Sequence, residues 1–139
     1  MGMFPELDKK QTIKNVKYYF EHDFPRLKAH AHMNIASIQS PHFDTVGTSG
    51  TARNTQENKV MDQLRAQELV TATYETIKIC PDKYKYKTIL KYCYLYGQSN
   101  AETMEVAGYA STRYYECKNN AFLYFAEAFQ DYYDLQVFS

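Results

Sequence analysis

The stretch from Ile89 to Phe129 constrains the fold most, because helix start and stop signals follow one another there in an order that leaves few alternatives. Ile89, Leu90, Cys93 and Tyr96 recur at helical spacing, and Gly97 stops the stripe. Ser99-Asn-Ala-Glu102 reads as a capping box, in which side chain and backbone satisfy each other's free donors at a helix start. Met104, Val106 and Ala107 follow, and Gly108-Tyr109-Ala110-Ser111 turns the chain into another helix from about Thr112. Two short helices, a tight glycine-containing turn and a third helix form the unit that can set one helix into a DNA major groove. The fold class this predicts is all-α, with a helical N-terminal region and a C-terminal helix-turn-helix.

The segment feeding this unit admits two readings. Tyr84, Tyr86, Leu90, Tyr92, Tyr94 and Tyr96 alternate with Lys85, Lys87 and Lys91, a strand-like period of two. Read as a helix, Ile89, Leu90, Cys93 and Tyr96 share one face. A hairpin needs a partner strand after Gly97, and the capping box stands there instead, so helix is the reading taken.

Upstream, Met1 to Leu7 reads as a loose terminus and Asp8 as a helix cap, with Ile13, Val16, Lys17, Tyr19 and Phe20 at turn spacing. Pro25 is expected to interrupt or restart this helix, whose continuation carries Leu27, Ala31 and Ile35. The density of Ser, Thr, Gly and Pro between Ser37 and Asn54 marks a linker or extended loop. A second helix is predicted from about Thr55 to Ile79, ended by Pro81, with Val60, Leu64, Gln67 or Glu68, Thr71, Tyr74 and Ile77 or Lys78 on its inner face. The organisation is therefore an N-terminal helical region (1–36), a linker (37–54), and a connecting helix with a helix-turn-helix DNA-binding domain (55–139).

The final helix separates into two faces. Tyr114, Cys117, Ala121, Phe125 and Ala128 or Phe129 fall on the buried side, where small Ala121 permits close approach of the first helix. The other side presents Ser111, Thr112, Arg113, Tyr115, Glu116, Asn119 and Asn120 as candidates for base reading. Arg can pair with guanine through two donors, Asn with adenine, and Glu can accept from cytosine. Of these, Thr112, Arg113, Glu116 and Asn120 are the expected base readers. Lys87, Lys91, Ser99, Asn100 and Lys118 are the phosphate candidates, helped by free backbone donors at the start of the Ser99 helix.

Charge argues weakly on this point. The 139 residues carry no formal net charge, whereas phosphate neutralisation usually shows as a basic excess. Between Lys83 and Asn120, however, the balance is +3, and from Ala121 onward it is −3. Other classes find no support. No apolar run approaches the roughly 20 residues of a membrane span and no secretory signal opens the chain, so a soluble cytoplasmic protein without a membrane partner is expected. Cys80, Cys93 and Cys117 are odd in number and widely spaced, which suits buried thiols. His22, His30, His32 and His42 lack acidic or Cys partners at ligand spacing, so no metal is expected. Phosphate loops, nucleophile triads and paired catalytic carboxylates cannot be picked out, and neither an enzyme nor a cofactor is expected.

Ile89-Leu-Lys-Tyr-Cys-Tyr-Leu-Tyr-Gly97 followed by Glu102-Thr-Met-Glu-Val-Ala-Gly108 resembles region four of bacterial sigma factors. More closely, Gly108 to Phe129 resembles the ArpU (autolysin regulatory protein) family in its Tyr-containing turn, its Tyr114-Tyr115 pair and its Phe125-Ala-Glu-Ala128 segment. The Ser40-Pro-His-Phe-Asp44 stretch and the helix after Asn58 extend the resemblance over most of the chain. It implies a phage or prophage late-gene transcription regulator that binds double-stranded DNA, with RNA polymerase as a further partner. Two departures stand out. Ala110 occupies the place of a capping Ser, leaving Ser111 as the alternative cap, and Glu116, Asn119 and Asn120 replace a more basic run.

One recognition helix covers only a few base pairs, so specificity calls for a homo-oligomer, a dimer first, or for help from polymerase. The N-terminal helices are the expected association surface, because their apolar stripes exceed what a small C-terminal unit can cover. Two rival functions fit the same pattern. One is a phage DNA-packaging protein of the small-terminase kind, and the other a helical interaction module that has lost DNA binding.

Overall fold

The computed structural model describes residues 5–32 and 53–139, with the backbone alone for 53–60. The fold is all-α. The first helix, α1 (Lys9–Tyr18), starts at Asp8, whose carboxylate accepts the Gln11 N–H at 3.0 Å. Pro25 restarts it, as expected, without ending the helical run. A single π turn (Tyr19–Asp23) intervenes, and Pro25 then lies in the first turn of α2 (Phe24–Ala31). A proline ring clashes with the carbonyl four residues back, and the wider turn, in which Phe24 N–H donates to Tyr19 O, gives it room. His32, in the left-handed region at φ 54°, ends α2. The expected continuation to Ile35 and the loop as far as Ala52 lie outside the described residues, as does His42.

Helix α3 (Arg53–Ile79) begins two residues inside the expected linker and ends before Pro81. Its buried residues include Ala66, Leu69, Val70, Ala72, Thr73, Tyr74, Thr76 and Ile77. The expected inner face holds at Tyr74 and Ile77, but Leu64 is 50% exposed, and Glu68 and Lys78 also face water. The C-terminal half of α3 is covered from more than one side, by α2 and by the last helix, so no single stripe describes it. Thr73 turns this crowding to use. Its hydroxyl donates to Leu69 O at 2.7 Å and meets the buried Tyr19 hydroxyl at 2.6 Å.

Within Tyr84 to Tyr96 the helix reading holds from Tyr86 to Leu95, as α4 (Tyr86–Leu90) running into a second π turn (Lys91–Leu95). Then come α5 (Asn100–Ala107) and α6 (Ser111–Phe129). The main core gathers Val16, Tyr19, Phe20 and Phe24 from the first helices with Val70 and Ile77 of α3 and Ala121, Phe122, Phe125 and Phe129 of α6. The two π turns meet in it: Phe20 and Tyr94 stack with ring centroids 4.4 Å apart and planes 8° from parallel.

This core corrects two expectations. Among the described residues the apolar stripes of α1 and α2 are largely turned inward: Val16, Phe24 and Ala31 are buried, and Ile13 and Leu27 pack against the core, in place of the open stripes foreseen. Nor is the whole stretch to Leu7 loose. Leu7 forms an isolated antiparallel bridge with Phe138, Asp8 N–H donates to Val137 O at 2.7 Å, and Ser139 N–H to Glu6 O at 2.9 Å.

Candidate nucleic-acid interface

The junction between α5 and α6 is built by capping at every exposed end but one. Ser99 accepts the Glu102 N–H at 3.1 Å, and Glu102 accepts the Ser99 N–H at 3.1 Å, which completes the predicted box. The Ser99 backbone N–H so close by holds the Glu102 carboxyl below its ordinary range. At the other end Gly108 stands at φ 75°. Its N–H reaches Glu105 O at 3.2 Å and the Tyr109 N–H reaches Met104 O at 3.2 Å, the paired bonds of a Schellman stop. Ala110 has the extended backbone of a cap (φ −79°, ψ 172°) and no side-chain bond, and Ser111 is already helical. The cap is therefore Ala110, and the alternative at Ser111 is corrected. A second small core of Ile89, Ala107, Tyr114 and Cys117, with Tyr86, Met104 and Tyr109 against it, fixes α4, α5 and α6 to one another.

Behind the junction lies a polar cluster that was not foreseen. Asn100 Oδ1 accepts from Lys118 Nζ at 2.6 Å and from the Tyr114 hydroxyl at 2.8 Å. Half-buried Cys93 adds its Sγ at 3.2 Å from the Tyr114 oxygen. Burial, and then the Cys93 side chain, hold the Tyr114 phenol well above its usual range, and burial holds the Lys118 ammonium below its own. Lys118 is only 8% exposed and lies near the Tyr94, Tyr114 and Phe122 rings. It is accordingly no phosphate contact: the lysine stem lies on the edge of the buried stripe and its head is drawn inward. Asn100 is engaged by the same bonds, and the Ser99 hydroxyl by its cap.

The outward face of α6 carries the base-reading candidates. Ser111, Thr112, Arg113, Tyr115, Glu116, Asn119 and Asn120 are all exposed. They are not equally free. Arg113 pairs with Glu116 at 3.8 Å, and its guanidinium lies 5.7 Å from the Tyr84 ring and 5.8 Å from the Tyr109 ring. Asn120 lies beside the Tyr86 hydroxyl. Lys87 and Lys91 are half-buried, and Lys91 is bonded to Tyr96, which raises its pKa.

Sequence reasoning passed over the turn before α4. Asp82 accepts from both the Thr88 N–H (3.1 Å) and the Thr88 hydroxyl (2.9 Å), and Lys85 takes a left-handed φ of 65°. This turn sets Tyr84 beside Arg113; in the sequence Lys83 enters only the local charge balance, and Lys85 only that balance and the alternation with tyrosines. No hydropathy period marks such a contact.

Among the described residues no group of His, Cys, Asp and Glu could hold a metal, and no helix is long and apolar enough to cross a membrane. No protein-family model, curated protein or solved structure matches the chain.

Proposed function

We propose that the protein is a sequence-specific duplex-DNA-binding transcription regulator, with α6 as its recognition helix and no chemistry of its own. One observation carries this: a capped short helix, a glycine stop and a long helix that buries one face and leaves every base-reading candidate on the other. The resemblance to the ArpU family supports a narrower form, activation of phage or prophage late genes in the cytoplasm, with RNA polymerase as a partner. Specificity over a useful site still calls for a dimer or for polymerase.

A second reading, a helical interaction module, is favoured by the inward-drawn Lys118 and by the pairing of Arg113 with Glu116. Selection of binding sites from a random duplex pool, with Arg113→Ala in parallel, separates the two. Enrichment of one motif that relaxes in the variant is expected. Failure of the parent protein to retain any duplex at low salt would leave the interaction module standing.

A further inference from the structure

We propose that the turn Pro81–Lys85 is a second contact to duplex DNA, a phosphate clamp beside the recognition helix. Lys83 and Lys85 are its cations, and Tyr84 ties it to Arg113. The inference rests on the reading of α6 above.

The turn is held in a conformation that its own sequence disfavours. A lysine in the left-handed region is strained by its Cβ, and such geometry persists where the surroundings over-determine it. Here the surroundings are the bonds from Thr88 to the Asp82 carboxylate and from the Lys85 N–H to Asp82 O at 3.2 Å. Tyr84 remains 41% exposed, so apolar burial does not account for its placement. Its ring lies within 5.4 Å of Lys83 Nζ and 5.7 Å of the Arg113 guanidinium. The turn is thereby linked to the first turn of α6, where base reading is assigned.

Charge selects the partner. Of the nearby carboxylates, Glu116 is paired with Arg113, and Asp82 keeps its charge but is turned onto Thr88, which leaves the turn with two cations against one anion. Among the described residues Lys83 and Lys85 form no ion pair; Lys83 is exposed and shares the Tyr84 ring with Arg113, and Lys85, half-buried, closes the same turn. A flexible lysine is a point charge and carries no base-specific geometry, so it suits the repeating phosphates of a duplex next to a helix that reads base edges.

The test is the salt dependence of binding to the duplex selected by the parent protein, followed by fluorescence anisotropy. Lys83→Gln/Lys85→Gln is compared with Lys9→Gln/Lys10→Gln, which carries the same charge change. The control pair lies in the first turn of α1, next to Asp8, whose N–H donates to Val137 O, and no hydrogen bond or ion pair joins it to the Pro81–Lys85 turn among the described residues. Removing two phosphate contacts should flatten the slope of log affinity against log salt by about 2, weaken all duplexes by a similar factor, and leave the selected motif unchanged. The control pair should keep the parent slope, and both variants should unfold at the parent temperature. Tyr84→Ala, which keeps both lysines, should lose part of the slope; full retention would remove the tyrosine from the clamp. Equal slopes for the two lysine pairs would overturn the clamp and leave the recognition helix intact. A parent protein with no duplex affinity would overturn both.

Discussion

An ammonium withdrawn from water returns less than it costs unless a carboxylate faces it. Lys118 meets an amide oxygen and aromatic faces instead, and Asn100 keeps a second donor in Tyr114 if the lysine is removed. Lys118→Met, similar in length and apolar, should therefore raise stability by about 1 kcal/mol or leave it unchanged. The same variant should keep the parent salt slope for DNA, whereas a phosphate contact would lose about one unit of it. A marked fall in the denaturant midpoint would mean that the ammonium holds the helix pair together. In the sequence Lys118 stands as a phosphate candidate, and nothing there shows its partner. Asn100 lies in another helix, and only the α5–α6 packing brings the two to 2.6 Å.

Local rules governed most of the helix ends. The caps at Asp8 and Ser99, the stop at Gly108 and the break before Pro81 each depend on a few adjacent residues, and each was legible in the chain. The outward face of α6 was legible for the same reason, since its other side carries Tyr114, Cys117, Ala121 and Phe125. What could not be read were properties set by several elements at once: the double-sided burial of α3, the π turns, and the coupling of Tyr84 to Arg113. Two substitutions test the junction. Ala110→Ser places a hydroxyl where the backbone already resembles that at Ser99, and should stabilise by about 1 kcal/mol in thermal unfolding; no gain would mean that the α6 donors are satisfied by another route. Gly108→Ala meets no atom within 4 Å, so its cost is the left-handed backbone alone, again about 1 kcal/mol. A loss several times larger would imply that the turn carries tertiary strain as well.

At the scale of the molecule, the core is unusual in the phenols and thiol it hides. Burial, before any other cause, holds Tyr19, Tyr94 and Tyr114 well above the ordinary phenol value of 10.0, and pushes the Cys80 thiol from 9.0 to about 12. Each keeps its proton longer in the folded state than in the unfolded chain. Their contribution is thus complete below about pH 9 and declines as pH rises through the unfolded values. Lys118, with its lowered value, works in the opposite direction below 10.5 and is outnumbered. Base titration should show loss of helical ellipticity in step with a late rise in phenolate absorbance. Full phenolate absorbance with the helices intact would contradict it. The stacked π turns carry a different consequence, one of chain length. A π turn holds one residue more than an α turn, and each residue advances a helix by about 100°. Loss of a single codon between Tyr19 and Asp23 would let the turn close to regular α geometry and keep the helices on either side in the same relative rotation. Phe24 and Ala31 would keep their place in the core, and the cost would fall on Pro25, whose ring would meet the carbonyl four residues before it, whereas the same deletion inside the regular turns of α1 would throw the residues on its two sides about 100° out of register.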